Sequence, residues 1–341
     1  MSSIARRLEP RSLPSVLFVI PGLADGPPSS MIFARRQTEV VQAMGVRTSV
    51  FFLRSRTSPW KVLREFQRFR AQVRVERPQV IHAHYGTVTA LFSALGAGSI
   101  PLVITYRGSD LNPIPRSEHL RAAVGRFFSQ LAALRAARIV CVSSQLRARL
   151  WWRRRRVTVL PSGVDPRVFR GANRAAARQP LGWNLEDRVI LFNAGVDPRN
   201  KRLDLAEAAV RAARAQVPAV RLEILDGRQD PSRIPALMNA ADCLLVTSDA
   251  EGSPTVVQEA LASNLPIVSV DVGDVAERIR GVRNTCIAAR DPGALGQALA
   301  ALVAQPLRSD GRSRIADFSA QSIALELCRL YREAAVRKPA P

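Results

Sequence analysis

Short apolar, β-branched runs separated by stretches of helical periodicity recur along the whole chain, and this alternation restricts the fold more than any other feature. The first series of runs is Val16 to Ile20, Arg47 to Leu53, Gln79 to Ala83, Leu102 to Thr105, Arg138 to Val142 and Val157 to Leu160. A second series follows at Val189 to Ala194, Val220 to Leu225, Cys243 to Val246, Pro266 to Val270 and Thr285 to Ala288. Between them, segments such as Trp60 to Arg77, Leu120 to Ala137 and Leu203 to Ala215 space their apolar residues as helices do. Strands joined by helices return in the same direction, so two such series predict an α/β protein with two parallel, doubly wound sheets. The seam is expected near Gly171 to Asp187, where Asn, Arg, Ala and Gln follow one another without apolar periodicity. A chain of 341 residues is long enough for two domains that each bury a core.

No stretch approaches the roughly 18 uninterrupted apolar residues of a membrane span. The N-terminus, MSSIARRLEPRSLPSVLFVI, places basic residues before a short apolar run that leads into Pro21-Gly22, and it reads as a first strand and not a signal peptide. The cysteines Cys141, Cys243, Cys286 and Cys328 lie far apart without a C-x-x-C pair, as expected of buried free thiols in a reducing cytoplasm. His82 and His84 alternate along an apolar strand, but no carboxylate or thiolate cluster accompanies them in sequence, so no metal site is expected there.

The net charge is +22, and its placement is uneven. Met1 to Arg170 carries 28 Lys and Arg against 8 Asp and Glu, whereas the remainder carries 22 against 20. A basic half is the footprint of a nucleic-acid binder, but no helix-turn-helix, RNP or zinc signature is present, and 6% aromatic residues leave few stacking platforms. The alternative partner is an anionic membrane surface. Arg147-Ala-Arg-Leu-Trp-Trp-Arg-Arg-Arg-Arg156 sets two tryptophans in a positive cluster, and Trp60 to Arg77 mixes Trp, Leu, Phe and Val with Lys61, Arg64, Arg68, Arg70 and Arg74.

The chemistry concentrates in Glu251-Gly-Ser-Pro-Thr-Val-Val-Gln-Glu259. Ser253 suits an N-cap and Pro254 a first helical position, so a helix is expected to run from here to about Ser263, with Asn264 ending it. Its free N–H groups favour a phosphate. Thr255 and Glu259, four apart, share one face, while Glu251 sits just before the helix. A phosphate carrying hydroxylated rings would satisfy all of these groups.

This segment resembles the glycosyltransferase family 4 signature (glycosyl transferases group 1), two glutamates separated by seven residues, in enzymes that use nucleotide-sugar donors. Val80-Ile-His-Ala-His84, Thr105-Tyr-Arg-Gly-Ser-Asp110, Val159-Leu-Pro-Ser-Gly-Val-Asp165 with Phe169, and Gly195 to Lys201 match further family segments in the same order. The resemblance implies the GT-B fold, two Rossmann-like domains facing a cleft: residues 1–170 on the acceptor and membrane side, 171–318 as the donor domain, and a C-terminal helix from 319 crossing back. It implies transfer of a sugar from a nucleoside diphosphate with retention at the anomeric carbon, with no metal and no cofactor beyond the donor as co-substrate. Glu251 would bind donor-sugar hydroxyls, the amides of Gly252, Ser253, Pro254, Thr255 and Val256 would line sugar and diphosphate (Pro254 having no N–H of its own), and Glu259 would hold the ribose.

Lys201 is the main candidate cation for the departing diphosphate, with Arg199 and Arg202 beside it. The family's arginine after glycine is replaced by Val196, so either Arg199 or Arg202 supplies that charge or phosphate binding is weaker. Gly22, directly after the first strand, is either a plain turn or a point of close approach to the donor. Gly96-Ala-Gly98 reads as a loop, since Pro101 stands where a dinucleotide fingerprint has its third glycine. Arg107 occupies the place of a family histidine; a guanidinium stays charged and cannot act as a base, so it either contacts a phosphate or acidic group or pairs with Asp110. The acceptor expected from the basic half is lipid-linked or an envelope polysaccharide, with the protein peripheral on the cytoplasmic face of the membrane. The alternative reaction on the same fold is epimerisation or hydrolysis of the sugar nucleotide.

Overall fold

The structure is a computed structural model that describes residues 13–26, 31–56, 58–112, 119–195 and 197–336. Each run expected to be a strand is one, with ends shifted by at most one residue. The first half runs β1 (Val16–Pro21), α1 (Ile32–Ala43), β2 (Thr48–Leu53), α2 (Pro59–Glu76), β3 (Val80–His84), α3 (Thr87–Gly96), β4 (Leu102–Tyr106), α4 (His119–Arg135), β5 (Arg138–Cys141), α5 (Ser144–Ala148) and β6 (Val157–Val159). The second half runs α6 (Arg174–Arg178), β7 (Arg188–Asn193), α7 (Pro198–Lys201), α8 (Leu203–Arg214), β8 (Val220–Leu225), α9 (Ile234–Ala240), β9 (Cys243–Val246), α10 (Thr255–Ala262), β10 (Ile267–Ser269), α11 (Val275–Ile279), β11 (Thr285–Ile287), α12 (Pro292–Ala304) and α13 (Ala320–Val336).

The strand orders are β2-β1-β3-β4-β5-β6 and β11-β10-β9-β7-β8, and every pairing is parallel. The α/β fold of two doubly wound sheets is therefore as the alternation predicts. In both sheets the order reverses beside the first strand, between β1 and β3 and between β7 and β9. Connections leave in opposite directions at such a point and open a crevice beyond the carboxyl ends of the strands.

Side chains of a strand alternate between faces, and β1 uses both. Val16, Phe18 and Ile20 join the core shared with α1, α13 and the second half, while Leu17 and Val19 join the core beneath Phe51, Phe69 and Phe92. The chain passes between the sheets twice at one place. Val164 N–H donates to Phe318 O at 3.2 Å and Ala320 N–H to Val164 O at 2.8 Å. Gly163 permits this contact, because a Cβ there would lie 2.6 Å from Ala320 Cα. α13 then packs on α1, β3 and β4. The segment expected to be the seam holds α6, whose Arg178 is fully buried and donates from Nη2 to Asp242 Oδ2 at 2.6 Å, so it belongs with the second sheet. All four cysteines are free thiols. No described helix is long and apolar enough to cross a membrane.

Candidate active site

The loops that leave the carboxyl ends of β7 and β9 meet at the second switch point. α7 is capped by Asp197, which accepts from Asn200 N at 3.1 Å. Asn200 Nδ2 donates to Ala250 O at 3.1 Å, Asp249 N–H to Asn200 O at 2.8 Å, and Thr247 Oγ1 to Lys201 O at 2.7 Å. These bonds sew one loop to the other and bring the Lys201 ammonium into an ion pair with Glu251. Of the three basic residues in this stretch, only Lys201 reaches Glu251. Arg202 is bonded to Asp204 at 2.8 Å and to Asp249 at 3.4 Å, and Arg199 is exposed on α7. Val196 lies outside the described residues.

α10 begins one residue later than its cap signals predict. Pro254 is extended, with ψ 117°, and takes the cap position; Thr255 is the first helical residue, and Ser263 with Asn264 at φ 54° ends the helix. Ser253 does not cap the backbone. Its hydroxyl accepts from Gln258 Nε2 at 3.1 Å, because an extended proline between it and the helix moves that oxygen away from the first turn. Gly252 is required by close packing: a Cβ there would overlap the Arg107 carbonyl oxygen and lie 2.9 Å from Val142 Cγ2. Asn112 Nδ2 also reaches across, donating to Glu251 O at 2.8 Å. The two halves are thus in contact at the base of the cleft.

Asp110 explains how the first half holds its side of this contact. Its carboxylate accepts backbone N–H bonds from Gly86 (2.9 Å), Arg107 (3.0 Å) and Gly108 (2.8 Å), which ties the loop after β3 to the turn after β4. Asp110 therefore pairs with the backbone of Arg107 and not with its guanidinium, contrary to the pairing weighed from the sequence.

The Arg107 guanidinium has protein partners at both terminal nitrogens. Nη1 donates to Ser162 Oγ at 2.8 Å, and Nη2 to Gln37 Oε1 at 2.9 Å and to His84 Nδ1 at 3.1 Å. Phe33 covers its face at 4.2 Å. Burial among neutral groups lowers its pKa to about 9, with Asp110 and Tyr331 opposing the shift. Behind it, His82 is bonded to Tyr331 Oη and to Thr105 Oγ1, each at 2.7 Å, and burial first, then Arg107, lowers its pKa to about 3. The alternating histidines serve α13 and Arg107, and among the described residues no group of three or more His, Cys, Asp or Glu could hold a metal.

Between α1, the crossing segment, α10 and α13 lies a cavity of about 260 Å³. Thr255 and Glu259 face it from α10 as the helical spacing predicts, opposite Phe33, Arg36 and Gln37 of α1, with Arg107 and Ser162 at its side. Glu259 is pushed up to about 7 by burial, against the Arg36 guanidinium, which stands 3.5 Å away. Among the described residues, buried Arg107 Nε and Gln258 Oε1 have no hydrogen-bond partner, which leaves a donor and an acceptor for a polar ligand. Gly22 is not part of this wall. Its N–H donates to Leu53 O at 3.0 Å, and φ 129° marks it as the glycine of a turn after β1. Arg36, Gln37 and Tyr331 carried no sequence signal of their own, since each acts through a partner remote in the chain.

A family model described as Glycosyltransferase Family 4 matches residues 16–168, and one described as Glycosyl transferases group 1 matches residues 194–305. A protein of Bacillus subtilis named for teichuronic acid biosynthesis, the glycosyltransferase TuaC, is 27% identical over 244 residues, covering 65% of this chain and 60% of its own length. Sucrose-phosphate synthase from Thermosynechococcus elongatus superposes with a TM-score of 0.76 at 18% identity, covering 94% of this chain and 98% of that one. Anabaena HepE in complex with UDP-glucose superposes with a TM-score of 0.69 at 17% identity, covering 94% of this chain and 99% of that one. Two family models in this order on a pair of facing doubly wound sheets show that the chain belongs to the family 4, group 1 glycosyltransferases, with the GT-B fold.

Proposed function

We propose that the protein transfers a sugar, with retention, from a nucleoside-diphosphate sugar to a lipid-linked or envelope-polysaccharide acceptor. The observation that carries this reading is the placement of Glu251 and Glu259 around the start of α10, beside Lys201 and at a switch-point crevice. A helix start stabilises a diphosphate through its N–H groups, and Lys201 adds the cation. As the bond to the sugar breaks, charge builds on the departing phosphate, so these groups lower the barrier. Glu251 holds the sugar hydroxyls and Glu259 the ribose. No metal takes part in this scheme. Residues 1–170 form the acceptor half, 171–318 the donor half, and the segment from 319 returns to the first.

The acceptor and location follow from the surface of the first half. α2, α3 and α4 pack side by side, and Trp60 (79% exposed), Leu63, Leu95, Leu120 and Phe127 stand on them in the open. Trp151 is 58% exposed and touches Phe127, with ring centroids 6.5 Å apart. Lys61, Arg64, Arg70, Arg74, Arg121, Arg147, Arg154 and Arg155 are exposed on the same half. Two members of the basic segments turn inward: Trp152 Nε1 donates to Gln130 O at 2.6 Å, and Arg68 is bound to Glu65 and stacked on Phe51. Aromatic rings among exposed cations suit the headgroup region of an anionic leaflet. The protein then sits on the cytoplasmic face, where a lipid-linked acceptor is presented.

Purified protein incubated with a panel of UDP- and GDP-sugars and a lipid extract tests the reading. The expected result is acceptor-dependent release of nucleoside diphosphate, insensitive to chelator, with the donor's anomeric configuration kept in the product. Formation of only free sugar or an epimer, independent of acceptor, would replace transfer by hydrolysis or epimerisation.

A further inference from the structure

We propose that Arg36 is a donor-binding residue, which leaves Glu259 when a nucleoside diphosphate enters and binds the diphosphate at the start of α10. The inference rests on the donor-site reading above and goes beyond it in naming a cation that the sequence did not single out.

A diphosphate needs more cationic charge than this site has free. Lys201 is paired with Glu251, Arg202 with Asp204 and Asp249, and the terminal nitrogens of Arg107 are spent on Ser162, Gln37 and His84. Arg36 differs from all three. Its side chain is 43% exposed and faces the cavity, and among the described residues its hydrogen-bonding partner is Glu259, at 3.5 Å. That distance is at the outer limit of a hydrogen bond, so little is lost when the contact opens.

The exchange is also favourable for Glu259. Burial disfavours its charged form, and two ribose hydroxyls can donate to the carboxylate in place of one distant guanidinium. Glu259 stands about one helical turn from Thr255, a distance of roughly 5.4 Å, which a side chain as long as arginine can cover. The guanidinium then meets a group of higher negative charge than a carboxylate, and its fork matches phosphate oxygens. Because α1 belongs to the first sheet and α10 to the second, the new contact also ties the two halves together across the donor.

Calorimetric titration of wild type, Arg36→Ala, Arg36→Lys and Glu259→Ala with UDP, GDP and ADP, and with the monophosphate of whichever base binds best, tests the inference. Arg36→Ala is expected to weaken diphosphate binding about tenfold while changing monophosphate binding far less, so that the preference for the diphosphate collapses. Arg36→Lys, which keeps the charge without the fork, should fall between. Unfolding temperatures close to wild type are expected, since one loose contact is removed. Diphosphate binding by Arg36→Ala that is as tight as wild type, or tighter, would mean that Arg36 merely screens Glu259; equal weakening of both nucleotides would likewise overturn the inference. In either case a loss of binding in Glu259→Ala leaves the donor site standing. A wild type that binds none of the three diphosphates overturns the donor reading and this inference with it.

Discussion

Glu251 and Glu259 flank one helix start but face different neighbours, Lys201 in the first case and Arg36 in the second. A group that holds ribose binds ground and transition states alike, whereas one that meets the reacting sugar does not. Glu259→Ala is therefore expected to raise the donor KM with little change in kcat, and Glu251→Ala to lower kcat by about 100-fold, read from initial rates of transfer. The protonation of Glu259 gives a second test. Its pKa rises from 4.5 to about 7 on folding, chiefly through burial, so the native state binds the proton more tightly than the unfolded chain. That contribution is fully present below the unfolded value and is lost as pH rises through about 7. Glu259→Gln, which cannot ionise, should gain stability relative to wild type between those limits, by on the order of 2 kcal/mol in denaturant midpoints. Equal pH profiles would show that Glu259 is not buried as described. Arg107 sets a contrast at the same scale. Its replacement by alanine strips partners from Ser162, Gln37 and His84, and a loss of about 3 kcal/mol in stability is expected. Diphosphate affinity of the folded fraction should hold, unlike that of Arg36→Ala.

At the scale of elements, the cleft depends on a loop that can approach another loop without a side chain between them. Gly252 has no room for a Cβ because the Arg107 carbonyl fills that space. Gly252→Ala must therefore push the turn after β4 away from the start of α10. Transfer is expected to fall by at least about tenfold, as misplacement of about 1 Å does in other active sites. Far-UV circular dichroism should stay unchanged, since neither sheet is touched. Full activity in this variant would show that the contact between the halves is not part of the working enzyme. The α10 start also shows where pattern reading stops. Ser-Pro signalled a helix within one residue of its true start, but whether the serine or the proline occupies the cap depends on the loop's docking against the first half, which no local pattern encodes.

Across the whole molecule, the excess of positive charge and the exposed Trp60, Phe127 and Trp151 lie on the first half, while Lys201, Glu251 and Glu259 lie on the second. If the first half rests on an anionic leaflet, the protein should co-sediment with vesicles containing anionic phospholipid at low salt and be released as salt rises, with no binding to zwitterionic vesicles. Trp151→Ala should weaken that binding several-fold without changing solution-phase donor affinity, because Trp151 is exposed and is not among the residues that line the cavity. Equal binding to both kinds of vesicle, or none, would remove the membrane from the account.

Strand runs, helical spacing and the order of the elements are short-range properties. They were legible because a buried strand and an amphipathic helix each leave a periodicity that survives any tertiary arrangement. The same holds for Thr255 and Glu259 on one helix face, whereas Lys201 and Glu251, 50 residues apart, are brought together by the paired loops of a switch point. Only the tertiary structure decided which cation meets which carboxylate across the cleft. Arg36 and Glu259 are 223 residues apart, and Tyr331 and His82 are 249 apart. The family position of Arg107 suggested a ligand contact, and only the packing of α1, β3 and the crossing segment against it decided its three protein partners. Those pairings arise from how two independently wound sheets and one returning helix are set against each other, and that placement depends on the summed packing of the whole interface and not on any local sequence pattern.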